Sequence, residues 1–249
     1  MGSPRRALTF VLCLALISSL FTVPSTASEW LSDERGGITV RYRQEDARAA
    51  RRILVVAEEA SRQVAAEMGL PDLAGVVITI AADDEDFARE TGGGVPDWGV
   101  GVADTRRGVV TVKSPRIARY PLQIEVVVVH ELAHVAVGRV LGEVRVPRWF
   151  HEGIAMAVAG EWRLGAPREV AAALAGGNLI PLERLAATFP SSSPEAMLAY
   201  TESFYAVELI RRQAGGATPG ELVRAIAARG HFETALRDLT GAGSGELGK

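Results

Sequence analysis

The sequence predicts an α+β fold, with a small mixed sheet in the N-terminal part packed on one central apolar helix and a mainly helical C-terminal part completing the molecule. Three observations carry this expectation. Short β-branched or alternating segments with strand character lie before residue 114. From Pro121 onward the apolar residues follow helical spacing, with proline near several helix starts and Gly142, Gly165, Gly176, Gly215 and Gly230 after helix ends. The composition is that of a folded globular chain: 249 residues, 48% hydrophobic and 23% charged.

The first 27 residues stand apart. Arg5 and Arg6 precede an apolar run over residues 7–23, and Ser25-Thr26-Ala27 places small residues at a cleavage position. This pattern is a secretory signal cut near Ala27. An uncleaved membrane anchor is the alternative, weakened by the polar Thr9, Ser18, Ser19 and Thr22 within a run near the lower length limit for spanning. Either way the folded part, residues 28–249, is expected outside the cytoplasm, secreted or membrane-attached. Cys13, the one cysteine, lies in this run, so no disulfide framework is available. The net charge of −3 becomes −5 when Arg5 and Arg6 are lost, which excludes a strongly basic nucleic-acid binder.

The elements follow in order. Ile38, Val40 and Tyr42 alternate with polar neighbours, giving a strand over residues 38–43. Residues 45–68 carry apolar side chains at helical spacing and are stopped by Gly69 and Pro71. A compact β-branched strand over residues 76–81 leads to a short helix over 83–90. Its acidic start, Asp83-Asp84-Glu85-Asp86, reads as a solvated helix end favoured by the dipole. Gly92-Gly93-Gly94 reads as a loose loop. Residues 98–103 and 108–113 flank Asp104-Thr105-Arg106-Arg107 as a hairpin, and 108–113 is the best candidate for an edge that receives an extended chain, with an ordinary sheet strand as its equal alternative.

A composition change near Ser114-Pro115 separates this lobe from a helical lobe over 115–249. The helices expected there are 121–141, 148–162, 167–175, 194–213, 219–228 and 232–239. Val126 to Val129 favour strand by propensity, but the motif that follows them demands helix.

Three of the four histidines fall between positions 130 and 151. His130 and His134 are four residues apart in His130-Glu131-Leu132-Ala133-His134, so on a helix both imidazoles face one side and can converge on a zinc ion. Glu131 points beside the metal and can take a proton from a metal-activated water. The flanks Leu132, Ala133, Val135, Ala136 and Val137 make this helix apolar nearly all round, hence buried, and buried histidines need partners that a metal provides.

A catalytic zinc wants a third protein ligand and an open position. Val137 and Val140 occupy the places where the metzincin extension has glycine and histidine, which excludes that class. Glu152 lies 18 residues beyond His134 on the next helix. A descent of about 12 Å to Gly142 and a climb of about 8 Å from Pro147, joined by the loop of residues 143–146, return it to the level of the histidines. His151 competes for the role, but neighbours on a helix diverge by about 100°, so one of the two faces the metal. The apolar Phe150, Ile154 and Val158 and a spacing that suits a glutamate, together with the resemblance given below, favour Glu152 and leave His151 as a partly exposed or cleft-lining residue. His231 stands alone at a helix start.

His130-Glu131-Leu132-Ala133-His134 followed by Trp149-Phe150-His151-Glu152-Gly153 resembles the gluzincin metallopeptidases, specifically the peptidase MA-like group. The segments Ala199-Tyr200-Thr201-Glu202-Ser203 and Gly230-His231-Phe232-Glu233-Thr234-Ala235-Leu236 also look like that group. The resemblance implies a zincin-like fold and a zinc peptidase. His130, His134 and Glu152 would be the ligands, Glu131 the general base, and Tyr200 (with Tyr205 as the alternative) the donor to the oxyanion. Tyr200 packing its ring in a helical core is the competing account of that residue.

Two departures stand out. Met156 occupies the place of the aspartate that orients a ligand histidine in thermolysin-like relatives, so the orienting group must come from elsewhere. The Gly-Ala-Met-Glu-Asn strand of the aminopeptidases is absent. The expected partner is a peptide or protein substrate. The rival function is a non-catalytic extracytoplasmic module that binds zinc or an envelope partner on the same fold.

Overall fold

A computed structural model of the protein describes residues 29–118, 123–160, 176–190 and 193–247. The signal segment with Cys13, the expected helix over 167–175 and the first residues of the helix expected from 121 lie outside the described residues.

The sheet contains β1 (Leu31–Arg35), β2 (Ile38–Tyr42), β3 (Val76–Ala81), β4 (Gly101–Asp104) and β5 (Val109–Lys113) in the order β1-β2-β3-β5-β4. The β2–β3 and β3–β5 pairs are parallel and the two outer pairs antiparallel, so the sheet is mixed, as expected. Strand β3, with parallel neighbours on both sides, is almost wholly buried, which its near-continuous apolar sequence reflects. The helices are α1 (Ala47–Met68), α2 (Asp84–Thr91), α3 (Ile124–Leu141), α4 (Arg148–Ala159), α5 (Ser193–Gln213), α6 (Pro219–Arg229) and α7 (Phe232–Thr240). Helix α1 is the crossover between the parallel strands β2 and β3.

Strand β1 was not anticipated. Leu31-Ser32-Asp33-Glu34-Arg35 has neither β-branched residues nor a clean alternation, and most of it is exposed. Its pairing with β2 comes from the turn: Gly36 and Gly37 both take positive φ, 58° and 77°, the conformation a two-residue hairpin requires. Its charges suit an open sheet edge.

Helix α3 packs on α1, α4, β4 and β5, and ten of its eighteen residues are buried. Val127 and Val128 point into this core, so tertiary burial overrides the strand preference of the four valines. At the change in composition near Ser114, the buried Ser114 and the half-exposed Arg116 are both tied to the buried Asp46. The Ser114 hydroxyl donates to Asp46 Oδ1 at 2.5 Å, and Arg116 donates to both Asp46 oxygens at 2.9 Å.

The acidic start of α2 is only partly solvated. Asp83 caps the helix by accepting from the Asp86 backbone N–H at 2.7 Å. Asp86 is buried and paired with Arg89 at 2.5 Å and Arg43 at 3.5 Å. Burial opposes its charge, but these two guanidiniums outweigh that and hold its carboxyl below the usual range.

Helix α4 is fixed at three places. Its first N–H groups, those of Arg148 and Trp149, donate to the carbonyls of Ala186 and Leu185 at 2.8 and 3.2 Å, satisfying donors the helix itself leaves orphaned. Trp149, Phe150 and Phe232 meet edge to face with centroids 5.0–5.9 Å apart, joining α4 to α7. Gly153 lets α5 approach closely: a Cβ there would stand 2.3 Å from the Ser203 carbonyl oxygen. Helix α4 ends at Gly160, which takes φ 69°, earlier than the expected 162.

Candidate metal centre

His130 and His134 lie one turn apart on α3, with ring centroids 4.6 Å apart. Helix α4 brings Glu152 to them. Its Oε2 is 3.4 Å from His130 Nε2 and 3.2 Å from His134 Nε2, and the side chains are 12%, 12% and 10% exposed. One donor atom from each of the three residues falls within a set spanning at most 4.8 Å.

A cation held at about 2.1 Å in a tetrahedron separates its donors by about 3.4 Å. The two spacings from Glu152 to the histidines match this edge length, and two imidazoles with one carboxylate are a donor set that zinc accepts. The chemistry and the proximity of the three donors therefore fit a divalent metal. Burial alone would raise the Glu152 pKa. The charges and hydrogen bonds of His134 and His130 overcome it and hold the carboxyl well below its usual range, leaving it anionic.

The three donors face a cleft of about 500 Å³. Glu131 lies in its wall, buried beside the metal set rather than within it. Its carboxylate is fitted against β4, since a Cβ on Gly101 would come within 2.7 Å of Glu131 Oε1. Tyr200 also lines the cleft, with its ring edge-on to Trp98 at 6.2 Å and to Phe189 at 5.0 Å. Tyr205 instead packs on Phe204 at 5.5 Å and is not among the described residues of the cleft wall.

The strand beside the cleft is a correction to the sequence reading. Strand β5, residues 109–113, lies inside the sheet between β3 and β4. The edge is β4, whose Gly101, Val102 and Ala103 line the cleft. Both arms of a hairpin carry similar alternation, and only the parallel pairing of β5 with β3 decides which is internal.

Two contributions were not read from the sequence. Arg148, four residues before Glu152, donates from Nε to Glu152 Oε1 at 3.4 Å while its guanidinium lies over the Phe189 ring at 4.9 Å. The i,i+4 spacing was the available signal. His151 lines the cleft, as the sequence reading allowed, and in addition its Nδ1 lies 2.6 Å from His134 Nδ1. Burial, then the neighbouring His134, pushes its pKa down to about 3, so its ring is neutral. Met156 is buried, and the position that carries an orienting aspartate in thermolysin-like chains offers no carboxylate here.

His231 stands at a helix start, as expected, and is exposed; there it caps α7 by accepting from the Thr234 N–H at 3.4 Å. The open groove beside it, of about 680 Å³, brings together no comparable donor set among the described residues.

Sheet, helix pair and donor set together define a metallopeptidase-like fold. The sequence pattern of the Peptidase MA superfamily matches residues 64–247, and the chain belongs to that family. Among solved structures, yeast LTA4 hydrolase in complex with bestatin is similar at 12% identity with a TM-score of 0.47. That match covers 89% of this chain and 35% of the hydrolase, so this chain spans about a third of that protein's length. A comparison with curated protein sequences finds no match.

Proposed function

We propose that the protein is a zinc-dependent metallopeptidase that hydrolyses peptide bonds without a covalent intermediate, with His130, His134 and Glu152 holding the metal. One observation carries this reading: a three-donor set opens onto a cleft in which a separate carboxylate, Glu131, is held beside it. A purely structural metal site has no use for such a group.

A zinc ion in this set would supply a Lewis acid that acidifies water and polarises a carbonyl oxygen. Glu131, buried in the cleft wall, takes the proton from the attacking water and passes it to the leaving amine. The Tyr200 phenol is the donor we assign to the developing oxyanion. Strand β4 pairs with β5 along one side, and its cleft-facing side offers main-chain groups to an extended peptide. We assign the peptidase domain to residues 28–249, and the segment before it to export or membrane attachment.

Glu131→Gln is the direct test. The variant should bind one zinc per chain while hydrolysis of a broad peptide library falls by at least about 100-fold. Full activity in this variant refutes the mechanism. Zinc binding by the parent with no cleavage of any library member favours the non-catalytic module.

A further inference from the structure

We infer that His151 is a positioning residue: its Nδ1 accepts a hydrogen bond from His134 Nδ1–H and so aims the Nε2 lone pair of His134 at the metal. This rests on the metal centre proposed above.

The argument is geometric. The two Nδ1 atoms are 2.6 Å apart and the ring centroids 4.7 Å, so the nitrogens lie on the line between the rings. The planes differ by only 26°, so the imidazoles meet edge to edge, the arrangement of an N–H···N hydrogen bond. At this separation both nitrogens cannot carry hydrogen. A histidine that gives Nε2 to a metal is protonated on Nδ1, and the only role left for the facing nitrogen is acceptor. His151 is then protonated on Nε2.

Consecutive residues of α4 thus hold opposite sides of one ring: Glu152 meets Nε2 at 3.2 Å and His151 meets Nδ1 at 2.6 Å. Helix α4 cannot rotate under them, because its first N–H groups are bonded to Leu185 and Ala186 and Trp149 and Phe150 are locked against Phe232. The same placement keeps His151 from replacing Glu152 as the third ligand, because its Nδ1 is turned to His134.

Two measurements test this. Zinc affinity is read by competition with a chromophoric chelator for the parent, His151→Phe and His151→Asn, with folding checked by circular dichroism. The Phe variant fills the space without an acceptor and should lose about 10- to 100-fold in affinity; the Asn variant, whose amide oxygen can accept, should recover most of it. Nitrogen-15 NMR of the zinc-loaded parent needs no variant and should show His151 protonated on Nε2 with Nδ1 free of metal. Parental affinity in a folded Phe variant overturns the assignment, as does a metal-shifted nitrogen signal from His151. None of these readouts depends on hydrolysis, so loss of the catalytic reading through Glu131→Gln leaves them standing.

Discussion

Replacing Gly153 by alanine tests the packing on which the cleft depends. The added Cβ would meet the Ser203 carbonyl oxygen at 2.3 Å, Val207 Cγ2 at 2.7 Å and the Ser203 carbonyl carbon at 2.8 Å. Ordinary contact begins near 3.4 Å, so α4 and α5 must part by about 1.1 Å at this point. Two effects oppose each other. Alanine is the better helix former by about 1 kcal/mol. Overpacking costs about 1–3 kcal/mol, and the upper end applies because the obstacle is backbone that cannot rotate away. The net loss is about 2 kcal/mol, or roughly 4–8 °C in Tm for a chain of this size. Glu152 adjoins Gly153 and Tyr200 lies one turn before Ser203, so zinc affinity should fall with stability. Thermal unfolding followed by circular dichroism, with chelator competition on the same samples, measures both. A Gly153→Ala protein that melts at or above the parent temperature refutes the reasoning.

Three further outcomes follow from the same geometry. Zinc at 100 times its Kd should raise unfolding stability by about 2.7 kcal/mol, and a chelator should reverse it; no shift on zinc addition counts against the donor set. Gly101→Ala drives a Cβ against Glu131 Oε1, and displacing that carboxylate should lower kcat/KM by about 100-fold with zinc stoichiometry unchanged; unimpaired turnover of the same peptides would separate Glu131 from the chemistry. Asp86 has a depressed carboxyl pKa, so its stabilisation is present above pH 3.8 and is lost as the pH falls below that value. Asp86→Asn should therefore melt lower than the parent at pH 6, with the gap narrowing towards pH 3; an equal gap at both values contradicts the ion pairs.

The parts legible in the sequence were those written in local periodicity or fixed spacing. Val76–Ala81 was recovered to the residue, and the ends of α1, α3, α6 and α7 fell within three residues of expectation wherever they lie among the described residues. His130, His134 and Glu152 converge as the count of helical rise required. What escaped depended on partners distant in the chain. Strand β1 exists because β2 lies beside it across Gly36-Gly37, and nothing in its own five residues announces a strand. Which hairpin arm lies inside the sheet is decided by β3, some thirty residues earlier, so the hairpin's own residues leave the edge and the internal reading of 108–113 equally open. Asp86 was read as solvated although Arg89 stands three residues on, because what buries it includes Arg43, which precedes α1. His151 was underrated for a different reason: a helical wheel places it 100° from Glu152 but cannot show that one imidazole is broad enough to be touched on both sides.

The pair of main-chain bonds from Arg148 and Trp149 to Ala186 and Leu185 reaches beyond helix termination. Phe189, which overhangs the cleft and carries the Arg148 guanidinium, follows only three residues after that anchor. Lip and floor are thereby riveted at one seam. Chain added or removed beyond Ala186 would reshape the mouth and the molecules it admits, while the carboxylate underneath kept its station. Selectivity and metal retention can drift independently in such a design, one through loop length and the other through the helix.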